Sequence, residues 1–187
     1  IVHVRDSAMA EELASFTPTA ARLASAFWPG PLTLVLPAAA GSPVASLVTA
    51  GLDTIALRCP AHPAMQALIA AAAVPLAAPS ANASGTVSPT TAQHVAATLD
   101  GRIAMIIDGG SCSTGIESTI VRVLDDRLLL LRPGPITPDQ LQGASGLPVE
   151  ADQSGAISAP GQLASHYAPG KPVLLNQSAP PTDAFMI

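Results

Sequence analysis

Short apolar runs that alternate with alanine-rich helical segments constrain the fold of this chain most strongly. Residues 32–36 and 54–58 have the length and composition of buried β-strands, and residues 63–73 have those of a helix. Two further apolar runs, 119–124 and 128–132, flank Asp125-Asp126-Arg127 and predict a β-hairpin. Strands linked by helices, combined with a hairpin, predict an α/β fold with a twisted mixed β-sheet flanked by helices.

The remaining segments supply shorter elements around this framework. Thr17 followed by Pro18 is typical of a helix N-terminus and predicts a helix through Phe27, and Ser88 or Thr90 is the expected N-cap of a helix ending at Leu99. Further strands are predicted at residues 1–4, 76–78 and 103–107, and further helices at residues 7–14 and from Thr137 onward.

The composition changes near Leu147 and divides the chain into three parts. Residues 1–146 are predicted to form the main domain. Residues 147–170 are rich in Gly, Ser, Pro and Ala with little periodicity, which is typical of a linker or lid. Residues 171–187 restart with a strand-like run at 173–175, and 183–187 is a second candidate strand.

Charge and hydropathy exclude several classes of protein. The formal net charge is −5, and Lys171 is the sole lysine, which disfavours the basic surface of a nucleic-acid-binding protein. A small anion held by one or two arginines remains compatible with this balance. The longest apolar runs are too short to span a bilayer, and we expect a cytoplasmic protein.

Cys59 and Cys112 are far apart in the sequence, and we expect free thiols rather than a disulfide. No Cys/His spacing indicates zinc, so no structural metal is expected. Cys112 lies in a Gly/Ser loop, where either a packing role or a reactive thiol is compatible with the sequence.

The polar turn at residues 79–85 follows an apolar run at 74–78 and precedes a predicted helix. Such a junction binds anions in α/β proteins, because unpaired backbone N–H groups and the helix dipole converge there. Ser80 and Asn82 add uncharged donors. A capped loop with no ligand is the alternative.

Five ordered motifs together resemble the YrdC-like family, and the resemblance extends from about residue 1 to residue 169. The motifs are Phe-Trp-Pro-Gly-Pro-Leu-Thr at 27–33, Thr-Ile-Ala-Leu-Arg-Cys-Pro at 54–60, Pro-Ser-Ala-Asn-Ala-Ser-Gly at 79–85, the Gly/Ser-rich segment at 109–121 and Leu-Arg-Pro-Gly-Pro at 131–135. The resemblance implies the long, two-domain form of the family, truncated at both ends, in which residues 171–187 begin a small second domain.

The resemblance also implies an activity. Such an enzyme condenses L-threonine, bicarbonate and ATP into threonylcarbamoyl-adenylate and releases pyrophosphate, the first step of the t6A modification of tRNA. ATP is then a substrate, Mg²⁺ is expected with the nucleotide, and the product passes to the tRNA threonylcarbamoyl-transfer machinery. Direct tRNA binding is not expected from the acidic composition, and the sequence leaves the oligomeric state open.

Individual positions take roles from the family motifs that they match. The resemblance implies L-threonine contacts at Arg58, Ser80 and Ser118, and ATP contacts at Thr54, Asn82, Thr90, Arg132 and Tyr167. Without the resemblance, Arg58 is equally compatible with a surface position, and Thr90 with a helix cap. Glu117 could orient the site, coordinate magnesium or form an ion pair with an arginine, and the ion pair is the preferred interpretation. His3, His62 and His94 are interpreted as structural.

Two departures from the family pattern concern the ends of the chain. The segment 158–169 resembles the interdomain motif that lies over the active site and contains Tyr167, although Ala159 intervenes before Pro160-Gly161. We expect a lid that excludes water. The family's upstream Lys and Arg, which bind the triphosphate, precede the segment that matches residues 1–4, so they are expected to lie outside this chain.

Two alternative functions stay open. One is the related domain of hydrogenase-maturation carbamoyltransferases, which accompanies zinc-finger cysteine pairs that this sequence does not contain. The other is an RNA-binding module without synthase activity, which the acidic balance disfavours.

Overall fold

A computed structural model describes residues 1–153 of the chain, and the strands within this range form one sheet. The strands are β1 (Val2–His3), β2 (Leu32–Pro37), β3 (Thr54–Arg58), β4 (Leu76–Ala77), β5 (Thr119–Val123), β6 (Leu128–Arg132) and β7 (Val149–Ala151). The helices are α1 (Ser7–Glu11), α2 (Pro18–Phe27), α3 (Pro63–Ala72), α4 (Ala92–Leu99) and α5 (Pro138–Ser145).

The sheet is mixed, as the sequence predicted. Its strand order is β4-β1-β3-β2-β5-β6-β7. The pairs β1–β3, β2–β5 and β6–β7 are parallel, and the pairs β1–β4, β2–β3 and β5–β6 are antiparallel. The predicted hairpin is the β5–β6 pair, so the α/β fold class is confirmed.

The main core lies on one face of the sheet, beneath α2 and α5. Leu23 of α2 and Leu141 of α5 are fully buried against sheet residues such as Leu34 and Leu57. Helix α2 begins where the sequence predicts, because the Thr17 hydroxyl accepts a hydrogen bond from the backbone N–H of Ala20 and Pro18 occupies the first turn.

The opposite face of the sheet has a smaller apolar cluster formed by Val35, Ile120 and Leu131. Polar and charged residues adjoin this cluster on the same face, and they form the candidate site described below. No helix within residues 1–153 has both the length and the apolar character needed to cross a bilayer.

The predicted strand at residues 103–107 is wrong. This segment has no regular structure, and Ile103, Met105 and Ile107 are 42%, 76% and 60% exposed. Alternating apolar residues form a strand only when a neighbouring strand pairs with them, and no strand in residues 1–153 pairs with this segment.

Several element boundaries also differ from the predictions. Thr91, rather than Ser88 or Thr90, caps α4. Residues 86–90 separate the polar turn at 79–85 from this helix. Helix α1 ends at Glu11 rather than at residue 14. Strand β4 covers only Leu76–Ala77 of the predicted 76–78 and is partly exposed.

Residues 149–151 were expected to belong to a linker without regular structure, but they form β7 at the edge of the sheet. Its residues pair in parallel with Leu128–Leu130 of β6. The strand is short and exposed, so its apolar pattern was too brief to predict. The linker motif, Tyr167 and the two strands predicted at 173–175 and 183–187 lie outside the described residues, and the division into domains stays a prediction.

Candidate active site

A transverse row of residues crosses five neighbouring strands on the face opposite the main core. His3 of β1 pairs with Arg58 of β3, and the pairing of Leu34 with Leu57 places Thr33 of β2 beside Arg58. Thr33 in turn pairs with Ile120 of β5, which pairs with Arg132 of β6. Residues that face one another across paired strands project from the same side of the sheet. The pairing register therefore brings His3, Arg58, Thr33 and Arg132 to one surface; we call these four residues the basic row.

Ser118 joins the basic row from the entry to β5. Its hydroxyl lies 2.8 Å from the Thr33 hydroxyl and accepts a hydrogen bond from a terminal nitrogen of Arg132 at 3.0 Å. Arg132 also donates from Nε and a terminal nitrogen to the backbone carbonyl of Ser118, at 3.0 and 2.9 Å. One residue assigned to threonine and one assigned to ATP are thus in direct contact.

The loop after β6 packs tightly against the entry to β5. The Thr119 hydroxyl donates to the carbonyl of Ile136 and accepts from its N–H, both at 2.9 Å. A Cβ on Gly134 would lie 2.4 Å from the backbone nitrogen of Thr119 and 2.6 Å from the carbonyl oxygen of Glu117, so only glycine fits. These contacts hold Ser118 and Arg132 in register.

Two guanidinium groups give the basic row its positive charge, and burial and like charge lower the pKa values of Arg58 and His3. Burial, and then the nearby Arg132 guanidinium, lower the pKa of Arg58. Burial, and then the charge of Arg58, lower the pKa of His3 to about 4, so His3 is neutral at pH 7. Arg58 forms no ion pair within residues 1–153. Two neighbouring guanidinium groups in a half-buried setting favour an anion such as a carboxylate or a phosphate.

Arg58 itself is positioned by a backbone contact. Its Nε donates to the carbonyl of Gly30 at 3.0 Å, which ties the end of β3 to the loop before β2. Its terminal nitrogens have no hydrogen-bond partner among residues 1–153. The contact at Nε therefore orients the guanidinium group and leaves its two terminal nitrogens available. This is the geometry needed for bidentate contact with a carboxylate.

The residues of the polar turn lie in loops rather than in the basic row. Ser80 is exposed, beyond the point where the Ala78 N–H donates to the Ile1 carbonyl. The Asn82 side-chain nitrogen donates to the carbonyls of Ala83 and Thr86, and Asn82 Oδ1 is buried without a hydrogen-bond partner. Asn82 thus shapes its own turn and keeps one acceptor unused.

Thr90 and Thr54 lie apart from both the basic row and the polar turn. The Thr90 carbonyl accepts from the Cys112 N–H at 2.9 Å, and its hydroxyl lies 3.2 Å from His94 Nδ1, so Thr90 joins α4 to the Gly/Ser-rich loop. Thr54 begins β3 and is therefore about 13 Å from Arg58 at about 3.3 Å per residue. Both stay predictions as nucleotide contacts.

The structure also shows the exposure and contacts of Glu117 and the two cysteines. Glu117 is partly exposed and forms no ion pair within residues 1–153, so the preferred pairing with an arginine is not found there. Both cysteines are free: Cys112 is exposed, whereas Cys59 is buried and donates to the carbonyl of Arg5.

Sequence reasoning missed Thr33 and gave His3 only a structural role. Thr33 is fully buried in β2, and it is the one polar residue in the run Leu-Thr-Leu-Val-Leu. A buried hydroxyl needs a hydrogen-bond partner, so this interruption was the available signal. The partner, Ser118, is distant in sequence and is revealed only by the pairing of β2 with β5.

The fold is an α/β domain whose sheet carries Arg58 and Arg132 on one face, and comparison with known proteins identifies its family. A model of the Sua5/YciO/YrdC family, described as "Telomere recombination", matches residues 1–134. The chain belongs to this family, as the sequence motifs indicated.

Two similar curated proteins are named threonylcarbamoyl-AMP synthase. The chain is 45% identical over 186 residues to threonylcarbamoyl-AMP synthase of Bacillus subtilis, covering 96% of this chain and 53% of that protein. It is 43% identical over 171 residues to the Schizosaccharomyces pombe protein of the same name, covering 85% and 42%. The chain therefore spans about half the length of the curated relatives it matches.

A solved structure agrees with the fold. The structure of Pyrococcus abyssi Sua5 complexed with L-threonine has a TM-score of 0.74 and 40% sequence identity, covering 90% of this chain and 48% of that one.

Proposed function

We propose that this chain forms the catalytic domain of an enzyme that condenses L-threonine, bicarbonate and ATP into L-threonylcarbamoyl-AMP and releases pyrophosphate. The observation that carries the proposal is the contact of Arg132 with Ser118 beside Arg58, in a half-buried row that contains two guanidinium groups. Relatives named threonylcarbamoyl-AMP synthase and the L-threonine complex of a similar structure support the same substrate.

The threonine side of the site is assigned to Arg58, Ser80 and Ser118. The tip of the Arg58 fork is available to the threonine carboxylate, while Gly30 orients its base. Ser118 is 2% exposed and adjoins Arg132, so its hydroxyl recognises threonine next to the nucleotide. Ser80, in the exposed turn, contacts threonine from the loop side.

The nucleotide side is assigned to Thr54, Asn82, Thr90, Arg132 and Tyr167. Arg132 is the best supported, because it is anchored to Ser118 and its guanidinium lies close enough to Arg58 to perturb the pKa of that residue. Asn82 contributes the unused buried oxygen of its turn. Tyr167 belongs to the linker, which we assign the role of a lid.

The reaction requires two anions to meet. A carbamate oxygen attacks the α-phosphorus of ATP, a new phosphorus–oxygen bond forms, and the bond to the bridging oxygen breaks as pyrophosphate leaves. Arg58 and Arg132 offset the repulsion between the carbamate-bearing amino acid and the phosphate chain, so positioning and electrostatics supply the catalysis. The mixed anhydride is labile, and the lid excludes water from it.

Mg²⁺ enters with the nucleotide in this proposal. Within residues 1–153 no group of three or more His, Cys, Asp or Glu side chains fits a metal ion, so this part of the chain offers no cage of its own. Phosphate oxygens and water are ligands that Mg²⁺ commonly keeps. We assign no step of the reaction to the metal.

The cellular setting follows from the same chemistry. Two free cysteines, one of them exposed, fit a reducing cytoplasm. The product is a labile activated carbamoyl group, so its consumer is the machinery that transfers threonylcarbamoyl to tRNA.

A substrate-omission assay tests the proposal. Pyrophosphate release by the full-length protein is measured with ATP, L-threonine and bicarbonate, and then with each one omitted. We expect release only when all three are present, and a drop of at least tenfold in Arg58→Lys but not in Arg102→Lys, whose parent arginine is exposed. Release that is indifferent to threonine and bicarbonate would refute the proposal.

A further inference from the structure

Two buried hydroxyl groups lie beside Arg132, at the centre of the basic row. Thr33 is 0% exposed and Ser118 is 2% exposed, and their oxygens are 2.8 Å apart. A hydroxyl has one proton to donate and two lone pairs to accept with. One lone pair of the Ser118 hydroxyl accepts from Arg132 at 3.0 Å.

A count of protons shows that this pair has an excess donor. The two hydroxyls have two protons, and the hydrogen bond between them uses one. Within residues 1–153, neither hydroxyl makes a hydrogen bond to another acceptor. Buried donors normally have acceptors, so the pair is built for an acceptor oxygen that a ligand supplies.

We infer that Thr33 is a positioning residue that makes the Ser118 hydroxyl an obligate donor to an acceptor oxygen of the amino-acid substrate. The 2.8 Å contact allows either hydroxyl to donate, and the inferred arrangement is the one in which Thr33 donates. With Arg132 also donating, both lone pairs of Ser118 are filled and its proton points to the ligand. The inference rests on the proposed function, since it concerns the threonine side of that site. It assigns a specific role to a residue that touches no substrate.

The test compares Thr33→Val with Thr33→Ser in the full-length protein, by steady-state pyrophosphate release. Valine keeps the shape of threonine without the hydroxyl, so Ser118 loses one of its two donors. We expect the KM for L-threonine to rise about fivefold to twentyfold, while kcat and the KM for ATP change less than twofold. Thr33→Ser keeps the hydroxyl and restores the KM for threonine.

A double-mutant cycle separates positioning from a structural role. In a Ser118→Ala background, Thr33→Val is expected to cause no further rise in the KM for threonine, because the hydroxyl that it orients is gone. If Thr33→Val does not fold, Thr33→Cys replaces it, since a thiol is similar in size and a weak donor.

Two outcomes overturn the inference while leaving the proposed function intact. One is an active wild type with an unchanged KM for threonine in Thr33→Val. The other is an equal rise in the KM values for threonine and ATP, which indicates a general distortion of the site. Absence of threonine-dependent release in the wild type instead overturns the proposed function, and the inference with it.

Discussion

The contact of Thr119 with Ile136 should contribute measurably to stability. The Thr119 hydroxyl is fully buried and makes two reciprocal hydrogen bonds to the backbone of Ile136. Thr119→Val keeps the side-chain shape and removes both bonds. Each bond is worth about 1 kcal/mol net, and the unpaired backbone groups of the partly buried Ile136 add about 1 more, so we expect a loss of about 2–3 kcal/mol.

Urea denaturation followed by circular dichroism measures this loss. Since small domains lose about 1–3 kcal/mol of stability per molar urea, the midpoint should fall by about 1–2 M. Thr119→Ser is the matched control: it keeps the hydroxyl and removes one buried methyl, so it should cost only about 0.8 kcal/mol. If Thr119→Val were as stable as the wild type, or Thr119→Ser the weaker of the two, the reasoning would be refuted.

Three further predictions concern the same part of the molecule. Gly134→Ala should destabilise by about 1–3 kcal/mol in urea denaturation, because its Cβ would meet backbone atoms that cannot move aside; an unchanged midpoint would contradict the packing. The pKa of His3 is lowered from 6.5 to about 4, so the unfolded chain binds the proton first and stability falls as the pH drops through this window. Between pH 7 and pH 4 the wild type should lose about 3 kcal/mol more unfolding free energy than His3→Phe, at about 1.4 kcal/mol per pKa unit. Parallel curves of unfolding free energy against pH for the two proteins would exclude this origin. A thiol reagent should modify exposed Cys112 quickly and Cys59 only on unfolding, because Cys59 is buried and burial raises its pKa; two equally fast thiols would contradict its placement.

The sequence predicted the central strands and the hairpin because their signals are local. Residues 54–58 and 128–132 are apolar runs bounded by turn residues, and Thr17-Pro18 is a strong helix start. Residues 103–107 show the limit of this reasoning. Their alternation is that of a strand, yet a strand requires a partner, and pairing is a property of the whole sheet.

The candidate site divides in the same way. Arg58 and Arg132 were identified from their motifs, and the structure places both in the basic row. Thr33 could not be assigned a role, because its contact with Ser118 joins positions 85 residues apart and depends on the register of two strands. Local sequence thus identifies which groups are available, and the pairing of strands decides which groups meet.

Isothermal titration calorimetry of L-threonine binding to the full-length protein measures whether the basic row recognises the threonine carboxylate through Arg58. We expect one site in the wild type, affinity at least tenfold weaker in Arg58→Met, and an unchanged affinity in Arg102→Met, in which an exposed arginine is replaced. Equal affinity in the wild type and Arg58→Met would contradict the account.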